Sequence, residues 1–280
     1  MNDAKIIAIT QPLMKTTVEQ TKFCKATGRN HTSSYQKDMS VEEFIAYTAR
    51  VSNPSNQHNT LTAPKLLKYL IEHKHWSPFE MVSITMEINT TRDISHQIIR
   101  HRSFSFQEFS QRYADPTKDM QFVTREARLQ DAKNRQNSIE VQDFDLQNKW
   151  ETQQAWVIDR AKSVYQWAIE NGIAKEQARA ILPEGLTTTR LYMAGTLRSW
   201  IHYIDVRAEE GTQKEHRQVA LAAQEEILKH FPSLKEYWFP KSIHLQHMER
   251  LGKEFEKVLY DNLDDLYVTD EKPKSWWKFW

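Results

Sequence analysis

From Val82 the chain alternates strictly. Val82, Ile84, Met86 and Ile88 are apolar, while Ser83, Thr85, Glu87 and Asn89 between them are polar. A two-residue period predicts a strand with one face buried. The period then changes. Ile94 and Ile98 share one face of a short helix that Thr91 can cap, and Arg100-His101-Arg102 ends it. Residues 103–112 alternate again at first, through Phe104 and Phe106, and read as extended. Upstream, Ile6–Ile9 reads as a first strand and residues 21–40 as a polar excursion before a helix at about 41–51. A second helix is predicted over about 63–74, with Pro64 in its first turn and Leu66, Leu67, Leu70 and Ile71 on one face. His75-Trp76-Ser77-Pro78 breaks it.

The second half reads as helical. Val157, Ile158, Ala161, Val164, Tyr165, Ala168 and Ile169 keep helical spacing until Asn171-Gly172 supplies a stop. A shorter helix ends before Pro183, a third is predicted from about Thr188 to Ala208, and a fourth over about 212–230, stopped by Pro232. The polar segment 117–150 reads as a mobile or interface region. Strands early and long helices late indicate an α+β fold and not a βαβ repeat.

Composition narrows the chemistry. The 280 residues include 38 Lys+Arg against 37 Asp+Glu, so any anion site must be local. The six glycines are too scattered for a GxGxxG turn or a Walker loop. The single cysteine, Cys24, excludes a disulfide framework and fits a reducing compartment. No apolar run approaches the ~18 residues of a membrane span. Ile6–Ile9, after Asp3, reads better as a strand than as a signal peptide, so a cytoplasmic protein is expected (host cytoplasm if the source is viral).

Against that even background, Arg100, His101, Arg102 and Arg112 lie within thirteen residues. Guanidinium groups suit phosphates and planar polar heterocycles, although a basic turn balanced by Glu108 and Asp115 has the same composition. The spacing is more specific than the charge. Arg100-His101-Arg102, seven residues, then Ser110, with Gln111-Arg112-Tyr113 following, resembles the RHR-x7-S signature of the flavin-dependent thymidylate synthases. Three further blocks are similar to that family, in order: His75-Trp76-Ser77-Pro78-Phe79-Glu80, Gln177-Ala178-Arg179-Ala180-Ile181-Leu182-Pro183, and Arg198 through Arg207.

The resemblance implies a single domain over 1–240, an antiparallel sheet packed with long helices; it does not cover the Trp-rich tail, and 241–280 reads as a C-terminal extension. It implies a homotetramer with sites shared between subunits, methylating dUMP to dTMP with methylenetetrahydrofolate as carbon donor, FAD as redox centre and NADPH as reductant. Carried over residue by residue, His75, Ser77, Glu80, Arg100, His101, Arg102, Ser103, Arg198 and His202 would lie around FAD. Gln97, Glu108, Phe109, Ser110, Gln111, Arg112, Arg179 and Arg207 would surround dUMP, with Arg207, Arg112 and Ser110 closest to the chemistry. His202 and Gln107 depart from the family's usual Asn at their positions, and neither change removes a cation or the serine.

Elementary reasoning supports parts of this. With no glycine-rich cradle, an arginine cluster is the available counter-charge for a pyrophosphate. Arg198 and His202 share a helix face, whereas Arg207 lies about 180° round, at about 100° per residue; one helix would serve two sites or an interface. His101, between two cations, should stay neutral. Cys24, in the polar run Lys22-Phe23-Cys24-Lys25, reads as structural and not as a nucleophile, and no His-Asp arrangement beside Ser110 would activate that hydroxyl. His73/His75 and His244/His247 have metal-like spacing without a third ligand, so no metal is expected. The alternative is a non-catalytic nucleotide- or RNA-binding module stacking bases on Phe104, Phe106 and Tyr113. Balanced charge speaks against it, and no nucleic-acid partner is expected. The Trp-rich end, Trp276-Trp277-Lys278-Phe279-Trp280, reads as packing on the protein's own oligomer.

Overall fold

The alternation that starts at Val82 is realised as a central strand. Ile84, Met86 and Ile88 are removed from water, and Thr90 extends the buried row. The computed structural model describes residues 2–24 and 28–239. Its strands are β1 (Asp3–Ile9), β2 (Lys15–Cys24), β3 (Arg29–Asp38), β4 (Ser83–Thr91), β5 (Ser105–Glu108), β6 (Arg128–Gln130), β7 (Ser138–Glu140) and β8 (Thr188–Thr196). Four of them form one sheet in the order β1-β4-β8-β5, every neighbouring pair antiparallel. The helices are α1 (Val41–Ala49), α2 (Ala63–Glu72), α3 (Arg92–Ile98), α4 (Pro116–Asp119), α5 (Phe144–Glu170), α6 (Lys175–Ala178), α7 (Leu197–Arg207), α8 (Lys214–His230) and α9 (Lys235–Trp238). The fold is α+β, as the periodicity implies.

The chain divides into two units, Met1–Leu234 and Lys235–Trp280. The first holds the sheet and every expected site residue. Its core joins Ile84, Met86 and Ile88 of β4, Leu191 and Met193 of β8, Trp200, Tyr203 and Ile204 of α7, and Val219, Ala223 and Ile227 of α8. Trp200, fully buried, satisfies its indole N–H on the Ile84 carbonyl at 3.2 Å. A smaller cluster under α5 gathers Tyr165, Ala168, Ala178 and Leu182. In the second unit the short α9 is described; the Trp-rich end and His244/His247 lie outside the described residues.

Two sequence expectations change, and a third is filled in. The polar excursion at 21–40 is largely a hairpin, β2 on β3, with Gly28 at φ 61° between the strands. Its faces carry threonines, serines, lysines and glutamines, so an apolar period has nothing to report. The helix expected over 188–208 is strand β8 followed by α7. Thr189, Leu191 and Met193 are buried while Arg190 is exposed, a two-residue period masked by threonines and by Ala194-Gly195. The helix begins where Thr196 accepts a hydrogen bond from the Ser199 N–H at 3.2 Å. Within 117–150 the structure has α4, the β6–β7 ribbon and the start of α5, capped by Asp143 on Leu146 N–H at 3.0 Å. No helix among the described residues is long and apolar enough to cross a membrane.

Candidate active site

The Arg-His-Arg turn is held at both ends by buried side chains. Ile94 and Ile98 sink α3 into the core, and the His101 N–H returns to the Ile98 carbonyl at 3.0 Å. On the far side Phe104 meets Trp200 edge to face, centroids 4.9 Å apart, and lies over Gly195. A Cβ at residue 195 would stand 2.4 Å from that ring, so the close approach requires glycine there. Phe104 is therefore an anchor of the turn and does not serve as the base-stacking surface of the alternative reading. Between the anchors Arg100, Arg102 and Ser103 face solvent.

Helix α7 joins this turn to the His75–Glu80 block. Arg198 forms an ion pair with Glu80. The His202 ring meets Trp76 edge on, with centroids 4.9 Å apart. Phe79, fully buried, seats the single turn Ser77–Met81, leaving His75, Ser77 and Glu80 exposed. At the other end of the helix the Arg207 Nε–H donates to His101 Nε2 at 3.0 Å. The two cations of α7 thus reach two different elements, as their angular separation implies. Burial, then Arg207 and then Arg100, push the His101 pKa below its usual value. The second cation beside this ring is Arg207, with Arg100, and not Arg102. Because Nε2 accepts from a guanidinium, the neutral ring carries its proton on Nδ1.

The residues expected around dUMP fall in two places. In the first, Glu108 ends the edge strand β5 and accepts hydrogen bonds from the Thr189 hydroxyl at 2.8 Å and from Arg92 at 3.4 Å. The Phe109 N–H donates to the Arg190 carbonyl, which ties the next residue to β8. The chain then turns, with Tyr113 and Ala114 N–H both donating to the Ser110 carbonyl at 3.2 Å. Gln111 is buried inside that turn. Arg112 points outward to Glu176 at 3.1 Å, and Lys175 donates to the Tyr113 carbonyl at 3.0 Å. The turn therefore rests against α6, which leads directly into Arg179. In the second place, Gln97 and Arg207 sit with His101, which was expected beside FAD. The structure brings the two expected groups together at that point.

Residues passed over in the sequence complete the second place. His216 is fully buried, its Nε2 3.1 Å from the Tyr203 hydroxyl and its Nδ1 3.3 Å from Gln97 Oε1. Burial, then Arg207 and His101, lower its pKa to about 3. The Gln97 Nε2 group donates to Gln213 at 2.8 Å, and Gln213 donates to Glu215 at 3.0 Å. Glu215 is paired with Arg128. A signal existed: His216 shares helical spacing with Val219, Ala220, Ala223 and Ile227, a histidine on an apolar stripe. Elsewhere His73 Nδ1 is 2.9 Å from the Tyr69 carbonyl and its ring stacks on Tyr69. Among the described residues no group of three His, Cys, Asp or Glu side chains is placed to hold a metal ion.

Comparison with known proteins reaches most of this unit. The family described as thymidylate synthase complementing protein matches residues 35–233, beginning inside β3. A probable flavin-dependent thymidylate synthase of Paramecium bursaria Chlorella virus 1 is 52% identical over 194 residues, 69% of this chain and 88% of the relative. A flavin-dependent thymidylate synthase of Synechocystis is 54% identical over 198 residues, 70% of this chain and 88% of the relative. One from Kosmotoga olearia is 34% identical over 182 residues, 65% of this chain and 78% of the relative. The sheet, the Arg-His-Arg turn seated on α7 and these matches agree: the chain belongs to the thymidylate synthase complementing protein family, that of the flavin-dependent thymidylate synthases.

Proposed function

We propose that the chain catalyses reductive methylation of dUMP to dTMP, with methylenetetrahydrofolate as carbon donor, FAD as redox centre and NADPH as reductant, and without a cysteine nucleophile. The observation that carries this reading is the contact between Arg207 and His101, 106 positions apart in sequence, which unites two of the four family blocks at 3.0 Å.

FAD fits the residues present. A dinucleotide needs cations for its pyrophosphate, and Arg100 and Arg102 are exposed with no ion-pair partner among the described residues. These arginines, with Ser103, Arg198, His202 and the His75–Glu80 turn, would hold it. When bound it would supply the electron pair that reduces the transferred carbon to a methyl group. The chain's own residues bind and polarise. Arg207 uses its Nε–H on His101, so its two Nη groups are what it can offer a ligand. Charge developing in the uracil ring would be stabilised by such a fixed cation. Arg179 has no ion-pair partner among the described residues and can take a phosphate together with Arg112. Among the described residues the Ser110 Oγ is met only by the Arg112 N–H at 3.4 Å, so its own proton is available for a hydrogen bond to dUMP. Cys24 belongs to the β2–β3 hairpin, neither strand of which carries an expected site residue.

The catalytic domain is taken to end near residue 240, in a homotetramer acting in the cytoplasm and sharing its sites between subunits. The test is direct. Purified protein should be yellow, bleach with NADPH, and convert dUMP only when methylenetetrahydrofolate is present. Arg207→Ala should abolish dUMP turnover while flavin is retained. A colourless protein inactive on dUMP with FAD added would remove the proposal.

A further inference from the structure

Glu215, Gln213, Gln97, His216 and Tyr203 form one continuous hydrogen-bonded row between the β6–β7 ribbon and the Arg207–His101 contact. Its direction is set from one end. Burial would raise the Glu215 carboxyl, but Arg128, its own backbone and Gln213 together hold it below the usual carboxylate range, so it only accepts. Gln213 must then turn its NH2 to Glu215, 3.0 Å away, and its oxygen to Gln97. Gln97 in turn must present its NH2 to Gln213 and its oxygen to His216. His216 must carry its proton on Nδ1, which leaves Nε2 bare to accept the Tyr203 O–H at 3.1 Å. Each choice follows from the one before. An imidazolium could instead donate to the Tyr203 oxygen, but burial, Arg207 and His101 hold the His216 pKa low, so the ring is neutral and Nε2 accepts. Tyr203 then holds the His101 ring edge on, centroids 5.0 Å apart.

We infer that His216 is a positioning residue for substrate binding: its Nδ1–H caps the Gln97 oxygen and so holds the amide in the direction that Glu215 and Gln213 set, the direction in which Gln97 meets dUMP. The inference rests on the reading of Gln97 as a dUMP ligand. Without that cap the Gln97 side chain would be held by Gln213 alone and could swing away from the substrate, which would weaken binding. His216 itself is fully buried and acts only through Gln97 and Tyr203.

A double-mutant cycle on dUMP affinity tests this. Binding is measured by equilibrium dialysis with radiolabelled dUMP on the flavin-loaded protein, with flavin content and melting temperature as controls. His216→Leu should weaken dUMP binding about fivefold to tenfold, the size of one neutral hydrogen bond. His216→Asn keeps a donor at the Nδ1 position and should recover most of that loss. In a Gln97→Leu background, His216→Leu should add less than twofold. Equal losses in the Leu and Asn variants, or full additivity with Gln97→Leu, would overturn the inference. If Gln97→Leu alone leaves dUMP affinity unchanged, the placing of Gln97 in the substrate site fails; if wild-type protein binds no dUMP, the proposed function fails with it. A merely structural His216 would lower melting temperature in both variants without separating Asn from Leu in affinity.

Discussion

Acid should destabilise this protein through one buried ring. His216 has a folded pKa of about 3, whereas an unfolded histidine titrates near 6.5. Because the folded value is the lower one, the unfolded chain binds the extra proton between these limits. The histidine's contribution is complete above about pH 6.5 and is lost as pH falls towards 3. Between pH 7 and pH 5 the linkage amounts to about 2 kcal/mol per chain, a large part of an ordinary folding free energy. The cause is geometric: no exposed surface hydrates an imidazolium there, and Arg207 and His101 both face it. His101, shifted the same way, adds to the same slope. Urea unfolding of wild type and His216→Asn at pH 7 and pH 5 isolates the residue, since carboxylates titrate alike in both. Wild type should lose about 2 kcal/mol more than the variant over that interval. Equal losses would refute the reasoning, and would mean that the ring is hydrated or already protonated at pH 5.

Gly195→Ala should cost about 1–3 kcal/mol, because the new Cβ meets the Phe104 ring and not a flexible chain end; an unchanged urea midpoint would show that the ring moves aside freely. Arg102→Ala should lower flavin content at purification, with little change in melting temperature of the flavin-free protein. Cys24→Ala should leave turnover of dUMP intact, and complete inactivity would overturn the thiol-free mechanism.

The sequence made legible whatever has an apolar period or a dense chemical block. The central strand is visible because Ile84, Met86 and Ile88 all bury on one face, and α2 because Leu67, Leu70 and Ile71 do. The β2–β3 hairpin is invisible to that method, since its cross-strand partners include Thr21 opposite Thr32, joined by their hydroxyls at 3.0 Å. Strand β8 was hidden differently: Thr188 and Thr189 are buried polar residues, so hydropathy mislabels the face they occupy. The Arg-His-Arg turn and the two-arginine helix were legible as blocks, but their meeting was not. Nothing in the local sequence says that Arg207 will stop at His101, because the two meet where Trp200 and Tyr203 of α7 pack against Phe104 and the His101 ring. His216 lies one step further away. It is silent until the helix carrying it docks beneath Gln97.

The near-zero net charge hides a division among the arginines, and on the proposed reading that division separates the expected ligand-binding arginines from structural ones. Arg128 and Glu215 are both almost buried, at 12% and 11% side-chain exposure, and removing either would strand the other's charge. Arg125 on Asp93, with Thr91 also accepting from it, is held in a similar way. Neither arginine can be lent to a substrate without a large cost. Arg112–Glu176 and Arg198–Glu80 are different, since all four side chains are more than 40% exposed. Such pairs stabilise by about 0–1 kcal/mol. A phosphate that offers a bidentate charge-assisted contact can displace the carboxylate, and the chain loses almost nothing. Arg100, Arg102 and Arg179 have no ion-pair partner to displace among the described residues. The arginines of the four family blocks are therefore those whose present partners are weak, replaceable or absent, apart from Arg207. Its partner is a neutral imidazole, which positions the guanidinium without neutralising it.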